Sequence, residues 1–116
     1  MAVKRIVPNI APLDRDKAQR FYGDVLGMDL GMDHGWIATY VGAGQAVAQI
    51  SIAQEGGSGT CVPDLSIEVD NLDEVLSRAQ ASGFAIEYGP ADEPWGVRRF
   101  YVRDPFDRLV NILQHH

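Results

Sequence analysis

The sequence predicts an α+β fold built from two βαβββ modules. Two amphipathic helical stripes occur along the chain, each ends at a glycine, and each is followed by three short strand-like runs. The same order of elements therefore appears twice in 116 residues, which is typical of an internal duplication. We predict one domain over residues 1–116, with module one over about 1–55, a linker over 54–60 and module two over about 61–116.

Module one opens with a predicted strand at residues 5–11, and Pro8 confines that strand to an edge or a bulge. A helix follows, with aspartates at its N-terminal end and Gly27 as its stop. Its apolar residues recur at helical spacing and predict one buried stripe, formed by Ala18, Phe21, Tyr22, Val25 and Leu26. Three strands are then predicted at 28–33, 36–42 and 46–53, with a hairpin turn at Gly42, Ala43 and Gly44.

Residues 54–60 are rich in glycine and serine, which predicts a flexible linker before module two. An alternating strand at 63–69 comes next, and a second helix begins near Asn71, where Glu74 completes a pair resembling a capping box. This helix ends at Gly83, and its predicted buried stripe consists of Leu72, Val75, Leu76 and Ala79. The closing strands are predicted at 84–88, 97–103 and 108–114, with a turn at 104–107 between the last two.

Composition and charge exclude several classes of function. The chain is 46% hydrophobic and 22% charged, as expected of a globular protein, and its net charge of −6 disfavours nucleic acid and anionic membrane surfaces as partners. The one cysteine, Cys61, cannot form an internal disulfide. Neither a signal peptide nor a membrane span is apparent, so we expect a cytoplasmic protein.

Alternation along the strands divides the predicted sheet into two faces. The apolar set should pack on the two helices. It includes Ile6, Ile10, Ile67, Val69, Phe100, Val102, Val110 and Ile112. The opposite set combines amides, hydroxyls and charges: Asn9, Gln49, Ser51, Asp64, Ser66, Glu68, Arg99, Tyr101 and Asn111. Such a face is either washed by solvent or, if the sheet is curved, lines a pocket with a few placed polar groups. Alternation alone does not choose between these interpretations.

Three stretches of the sequence resemble one family. Residues 16–28 contain Phe21-Tyr22 followed by Leu26-Gly27-Met28, residues 65–73 hold an alternating strand, and residues 95–112 contain a Phe-Tyr strand, an Asp-Pro turn and a closing strand. In this order and spacing they are similar to the glyoxalase/bleomycin resistance/dioxygenase (vicinal oxygen chelate) superfamily. The resemblance implies a curved mixed sheet around a pocket, with the helices on the outer face. One departure is Asp107, where the family usually has glycine, and aspartate tolerates positive φ better than most residues.

The resemblance also assigns positions to the metal ligands of the family's enzymes. In this sequence those positions hold Val7, Asp64, Asn111 and either Gln49 or Ser51. Valine cannot bind a metal, an amide is a weak ligand, and the only histidine before the C-terminal pair is His34, in a predicted turn. We therefore predict no metal and no cofactor. A hard cation held through oxygen by Asn9, Gln49, Asp64 and Glu68 is the less favoured interpretation.

Eight residues are predicted to bind a ligand: Asn9, Gln49, Asp64, Ser66, Trp95, Arg99, Tyr101 and Asn111. Arg99 could pair with an anionic or carbonyl group of a ligand, or form a surface salt bridge. Tyr101 offers a ring and a hydroxyl, or simply packs in the sheet, and Trp95 on its Pro-Trp-Gly loop suits a lid or a stacking surface.

Asp64 is either a hydrogen-bond acceptor or base, or a solvated strand start after Pro63. The Asn111 amide should bond a ligand or its neighbours. No Ser/His/Asp arrangement and no phosphate loop is apparent, so no catalytic residue is assigned.

Three functions stay open on this basis. The first is a metal-independent binding protein for a small organic molecule that sequesters a drug or metabolite, as a homodimer like the bleomycin-binding proteins it resembles. The second is a divalent-metal-dependent lyase, isomerase or dioxygenase of the same superfamily. The third is a domain whose pocket only supports assembly.

Overall fold

The computed structural model describes residues 2–42 and 48–116. The strands are β1 (Val3–Ile10), β2 (Asp29–Asp33), β3 (Ile37–Val41), β4 (Gln49–Ala53), β5 (Leu65–Val69), β6 (Ile86–Glu93), β7 (Val97–Arg103) and β8 (Leu109–His115). The helices are α1 (Arg15–Ala18), which continues as a π-helical segment (Gln19–Val25), and α2 (Leu72–Ala81). The predicted α+β class is confirmed. The predicted turn at 42–44 and the start of the predicted strand at 46–53 fall in part outside the described residues.

The chain forms two compact units. The N-terminal unit is Val7–Val62, and the C-terminal unit combines Met1–Ile6 with Pro63–His116. The first residues join the C-terminal unit because the Ala2 amide donates to the Asp70 carboxylate at 2.7 Å and Arg5 pairs with Glu68 at 2.9 Å. The module boundaries predicted from the sequence stay a prediction.

In the N-terminal unit the strand order is β2-β3-β4-β1. Strand β1 runs parallel to β4, with Asn9 opposite Ser51, whereas β2, β3 and β4 pair antiparallel. The core of this unit consists of Ala18, Ala38, Tyr40 and Ile52, with Leu13, Tyr22, Met28 and Ile50 packed against it.

The first helix does not bury the stripe predicted for it. Ala18 and Tyr22 reach the core, but Phe21, Val25 and Leu26 are 52%, 69% and 54% exposed. The reason is the π-helical segment, in which the Leu26 amide donates to the Phe21 carbonyl five residues back. The wider turn breaks the alignment of residues three and four apart on which the prediction depended.

The predicted linker contains a hydrogen-bonded turn. Residues 56 and 57 are buried glycines, the Gly56 amide donates to the Thr60 carbonyl, and the Gly59 amide donates to the Glu55 carboxylate. The segment is therefore a hydrogen-bonded turn, because its glycines adopt positive φ at Gly57 and Gly59. Glycine and serine content alone does not distinguish such a turn from a flexible linker.

The C-terminal unit has the strand order β1-β5-β8-β7-β6, with β5 parallel to β8 and β6, β7 and β8 antiparallel. Asn71 caps α2 by accepting from the Glu74 amide at 3.2 Å, as its sequence predicts. The core contains Val69, Leu72, Phe100, Val110 and Ile112, joined by Ile67, Val75, Leu76, Ile86 and Val102. The predicted division of faces holds in this unit, because these strand residues all have the parity assigned to the helix side.

Strand β6 is longer than predicted, since it continues past Gly89 and Pro90 to Glu93. The register with β7 shifts between Tyr88 and Ala91, so the glycine and proline form an irregularity inside the strand. Gly89 has φ +82°, and a Cβ there would lie 2.6 Å from the Arg99 carbonyl oxygen of β7. Glycine is therefore required where β6 approaches β7.

Candidate functional site

A row of polar and aromatic side chains crosses four strands of the C-terminal unit. Tyr88 is in register with Tyr101, Tyr101 with Asn111, and Asn111 with Ser66. Directly opposed residues share a face, and this face is the one turned away from the apolar core around α2. The row brings together three of the predicted residues, Ser66, Tyr101 and Asn111. Tyr88, whose ring centroid lies 5.3 Å from that of Tyr101, was not predicted.

Asn111 is the most informative member of the row. It is 7% exposed, and its amide nitrogen donates to the Ser66 hydroxyl at 3.1 Å. Its amide oxygen is buried and has no hydrogen-bond partner among the described residues. If the amide were turned over, its nitrogen would be left in the same position, because oxygen and nitrogen exchange places. Either way one buried polar atom of Asn111 is unsatisfied.

Arg99 lies beside the row and pairs with Glu93 inside the unit, and its predicted pairing with a group of a ligand stays a prediction. Its Nε and Nη2 atoms lie 2.7 and 2.6 Å from one Glu93 carboxylate oxygen, and both side chains are almost fully buried. Arg99 Nη1 also donates to the Tyr101 hydroxyl at 3.0 Å. The surface salt bridge is therefore wrong, and the cation is neutralised inside the unit.

Three aromatic rings surround the Arg99 guanidinium. The rings of Trp95, Tyr101 and Tyr88 have centroids 4.9, 5.0 and 5.3 Å from its central carbon. Trp95 lies in the short turn between β6 and β7 and stacks on Arg99, whereas its predicted role as a lid or stacking surface for a ligand stays a prediction. The Tyr88 hydroxyl lies 3.2 Å from both Glu93 oxygens. We call Tyr88, Glu93, Trp95, Arg99 and Tyr101 the arginine cluster.

Asp64 is outside this arrangement. It precedes β5, is exposed, and its carboxylate accepts from the Leu109 amide at 2.9 Å while its own amide donates to the Leu109 carbonyl at 2.8 Å. These bonds fix the first pairing of β5 with β8. The structure thus gives Asp64 a structural hydrogen bond, and its predicted role as ligand acceptor or base stays a prediction.

Glu68 is held by cations from two strands. Its carboxylate lies 2.9 Å from Arg5, 3.0 Å from His115 and 3.9 Å from Lys4. Burial raises the pKa of the Glu68 carboxyl, but His115, Arg5 and Lys4 outweigh burial and hold the pKa below its usual range. The carboxylate is therefore committed to these cations, which argues against the role in a cation site that the sequence left open.

Asn9 and Gln49 belong to the N-terminal unit. There Asn9 is opposite Ser51, and the Ser51 and Thr39 hydroxyls are buried and lie 2.8 Å apart. Gln49 is opposite Val41 at the start of β4 and is half-buried. Both have the parity predicted for them, facing away from the core of Ala38 and Ile52.

Over residues 2–42 and 48–116, no three His, Cys, Asp or Glu side chains are grouped so that they could hold a metal ion. The positions that the family resemblance assigns to metal ligands hold Val7, which is buried, the hydrogen-bonded Asp64, Gln49 and Asn111. In the part of the chain that the structure describes, no helix is long and apolar enough to cross a membrane.

Comparison with known proteins agrees with this fold. Residues 9–112 match the model of the glyoxalase/bleomycin resistance protein/dioxygenase superfamily. The chain therefore belongs to that superfamily. A search of the curated proteins found no match.

Solved structures share the fold at low identity. A structure described as an NAD-dependent benzaldehyde dehydrogenase from Legionella pneumophila has a TM-score of 0.74 at 16% identity, covering 97% of this chain and 100% of that one. A superfamily member from Vibrio splendidus 12B01 has a TM-score of 0.64 at 19% identity, covering 95% and 97%. Methylmalonyl-CoA epimerase from Mycobacterium tuberculosis has a TM-score of 0.61 at 20% identity, covering 98% and 87%. At these identities the likeness concerns the fold alone.

Glu93 and Tyr88 are the residues that sequence reasoning missed. Glu93 lies outside the strand predicted at 84–88, so alternation gave it no face. The sequence contains a signal for Glu93 in the tight turn at 94–96. This turn places Glu93 opposite Val97, and Glu93 therefore lies next to Arg99, two residues further along β7.

Proposed function

We propose that this protein binds a small organic molecule on the polar face of the C-terminal unit without a metal, and so sequesters a drug or metabolite. The observation that carries the proposal is the unsatisfied, buried amide atom of Asn111 between Ser66 and Tyr101. An unpaired buried polar group costs about 1–3 kcal/mol, and a ligand that supplies the missing hydrogen bond recovers part of that cost. Few other groups in a protein interior have this property.

The surroundings of Asn111 indicate what such a ligand would contact. Ser66 and Tyr101 supply hydroxyls, and Tyr88 and Tyr101 supply aromatic faces. A few convergent polar groups beside aromatic surface are typical of sites for small organic ligands. These groups bind and orient a molecule, which favours sequestration over catalysis.

A fluorescent probe tests this proposal directly. N-phenyl-1-naphthylamine is uncharged, has two aromatic systems and one N–H donor, and brightens in an apolar site. We expect one probe per chain, and we expect Asn111→Leu to weaken binding about tenfold, as loss of about 1.4 kcal/mol would.

Ile112→Val is the matched control, because it alters the next residue of β8 on the opposite, helix-packed face. It should reduce stability slightly and leave probe affinity unchanged. Equal affinity of wild type and Asn111→Leu would contradict the proposal. So would a probe that binds chelator-treated protein only after Mn²⁺, Ni²⁺ or Zn²⁺ is added, a result that would favour the metal-dependent lyase, isomerase or dioxygenase.

We also propose that the protein is a cytoplasmic homodimer. On the π-helical segment Phe21 and Val25 are exposed, and with Lys17 and Arg20 they line an open groove of about 250 Å³. An exposed apolar surface rimmed by polar side chains is typical of a contact between protein chains, and a two-fold dimer would pair this surface with its own copy. Sedimentation velocity should show a dimer that Val25→Asp dissociates. The control Phe106→Asp, at another exposed apolar residue, should leave the dimer intact, and a wild-type monomer would refute the proposal.

A further inference from the structure

The arginine cluster contains a buried charge pair whose net charge is zero. Arg99 and Glu93 make two contacts, at 2.6 and 2.7 Å, with side chains that are 3% and 5% exposed. Burial of a lone guanidinium would be strongly unfavourable, so the carboxylate is what allows the cation to lie in this position. The pair is in turn held by the hydroxyls of Tyr88 and Tyr101.

The same pair is continuous with the site proposed above. Arg99 Nη1 bonds the Tyr101 hydroxyl, and Tyr101 is the register neighbour of Asn111. Arg99 and Tyr101 are two residues apart on β7 and therefore share a face. A ligand bound at Asn111 would thus lie next to the guanidinium and its carboxylate partner.

We infer that Glu93 is a specificity-determining residue that restricts this site to uncharged ligands by neutralising Arg99. The inference rests on the proposed function. Arginine recognises carboxylate, sulfonate and phosphate groups through paired N–H donors, and Glu93 already receives two of those donors. An anionic ligand would have to compete with Glu93 and would bring a second negative charge beside it, in a site where charges are poorly solvated.

Two probes that differ by a single charge separate the alternatives. N-phenyl-1-naphthylamine is uncharged, and 8-anilinonaphthalene-1-sulfonate is the same framework carrying a sulfonate. We expect wild type to bind the uncharged probe at least about tenfold more tightly than the sulfonate. In Glu93→Gln, which frees the Arg99 charge, the preference should fall to about equal affinity or reverse.

Glu87→Gln is the matched control. Glu87 lies on the same strand and pairs with Arg103 at 2.7 Å, but its side chain is 39% exposed. The two variants change the net charge of the chain equally and each breaks one Glu–Arg pair. Only Glu93→Gln should alter the preference between the probes, since exposed charges are screened. The double variant Glu93→Gln/Arg99→Gln, neutral again, should regain the preference for the uncharged probe.

The outcomes are distinguishable. If both probes bind wild type equally and both depend on Asn111, the inference about Glu93 is wrong while the binding site stands. If Glu93→Gln unfolds, two results still test the inference about Glu93. They are the preference of wild type for the uncharged probe and the preference of the neutral double variant. If neither probe depends on Asn111, the proposed site fails and the inference fails with it.

Discussion

The close approach of β6 to β7 at Gly89 gives a prediction whose magnitude follows from the geometry. In Gly89→Ala the new Cβ would lie 2.6 Å from the Arg99 carbonyl oxygen, 3.0 Å from the Ala91 nitrogen and 3.2 Å from the Phe100 Cα, all of them backbone atoms. Neighbours of this kind cannot rotate away. The substitution therefore adds a steric cost to the cost of placing alanine at a φ of +82°.

Gly83→Ala provides the matched reference, because Gly83 has φ +86° and a Cβ there would meet nothing within 4 Å. For alanine at positive φ we expect a loss of about 1–2 kcal/mol in both variants. Overpacking adds about 1–3 kcal/mol, so Gly89→Ala should lose about 2–5 kcal/mol in total. The entropy that alanine removes from the unfolded chain is the same at both positions and cancels in the comparison.

Urea unfolding followed by circular dichroism measures the two free energies of unfolding. In thermal unfolding, each kcal/mol by which the two variants differ in free energy of unfolding corresponds to a difference of about 4 °C in melting temperature for a domain of this size. Gly89→Ala should also weaken binding of N-phenyl-1-naphthylamine, because β6 beyond Gly89 carries Glu93 to Arg99. If the two variants are equally stable within about 0.5 kcal/mol, the backbone clash assigned to Gly89 is incorrect.

Four further outcomes follow from the same structure. Glu93→Gln leaves a buried guanidinium unpaired and should lower the free energy of unfolding by about 3–5 kcal/mol, whereas Glu87→Gln should cost at most about 1 kcal/mol in the same urea titration. Asn111→Leu removes an unsatisfied amide and should change stability by less than about 1.5 kcal/mol; a larger loss would mean that the amide is satisfied. Asp107→Gly should raise the melting temperature, because Asp107 has φ +64°, and Asp107→Val should lower it. Because the pKa of Glu68 is lowered in the folded state, its contribution to stability is complete above about pH 5 and is lost as pH falls through that lowered pKa. The urea midpoints of wild type and Glu68→Gln should therefore converge as the pH falls through the acid range.

Much of the fold could be predicted because its signals are local. Glycine stops, the Asn71 cap and strict alternation in β5, β7 and β8 each reflect a few adjacent residues, and the structure has these elements close to their predicted positions. The turn at 104–107 is a good example of such a local signal, and the positive φ of Asp107 agrees with the glycine that the resembling family has at this position. Family membership, inferred from three short stretches, is confirmed over residues 9–112.

The sequence-based predictions that were wrong concern segments whose backbone departs from the regular period of a helix or strand. The π-helical segment shifts Phe21 and Val25 out of the stripe, and nothing in the spacing of apolar residues indicates a change from four to five residues per hydrogen-bonded turn. In β1, Ile6 and Ile10 are exposed although alternation placed them on the helix side.

The candidate site was likewise predicted only where its strands are regular, and this affects the interpretation of function. Parity placed Ser66, Tyr101 and Asn111 on one face, and they are register neighbours there. The partner of Arg99 could not be found by parity, because the irregularity at Gly89 changes which residues of β6 face β7. The sequence left an anionic group, a carbonyl group or a surface carboxylate open as the partner of Arg99, and the buried pair with Glu93 favours an uncharged ligand.

The energetics of buried ion pairs strengthen the functional interpretation of the arginine cluster. Two charges removed from water recover their desolvation cost only with good geometry and additional hydrogen bonds, and apolar residues of similar size are often as stabilising. Stability alone therefore gives little reason to place Arg99 and Glu93, rather than two aliphatic side chains, beside Tyr101 and Asn111. The Arg99–Glu93 pair supplies a polar group without net charge, which an aliphatic pair would not. Three aromatic rings lie around its guanidinium. A group of that kind distinguishes uncharged ligands from anionic ones, which is the property that the paired probes measure.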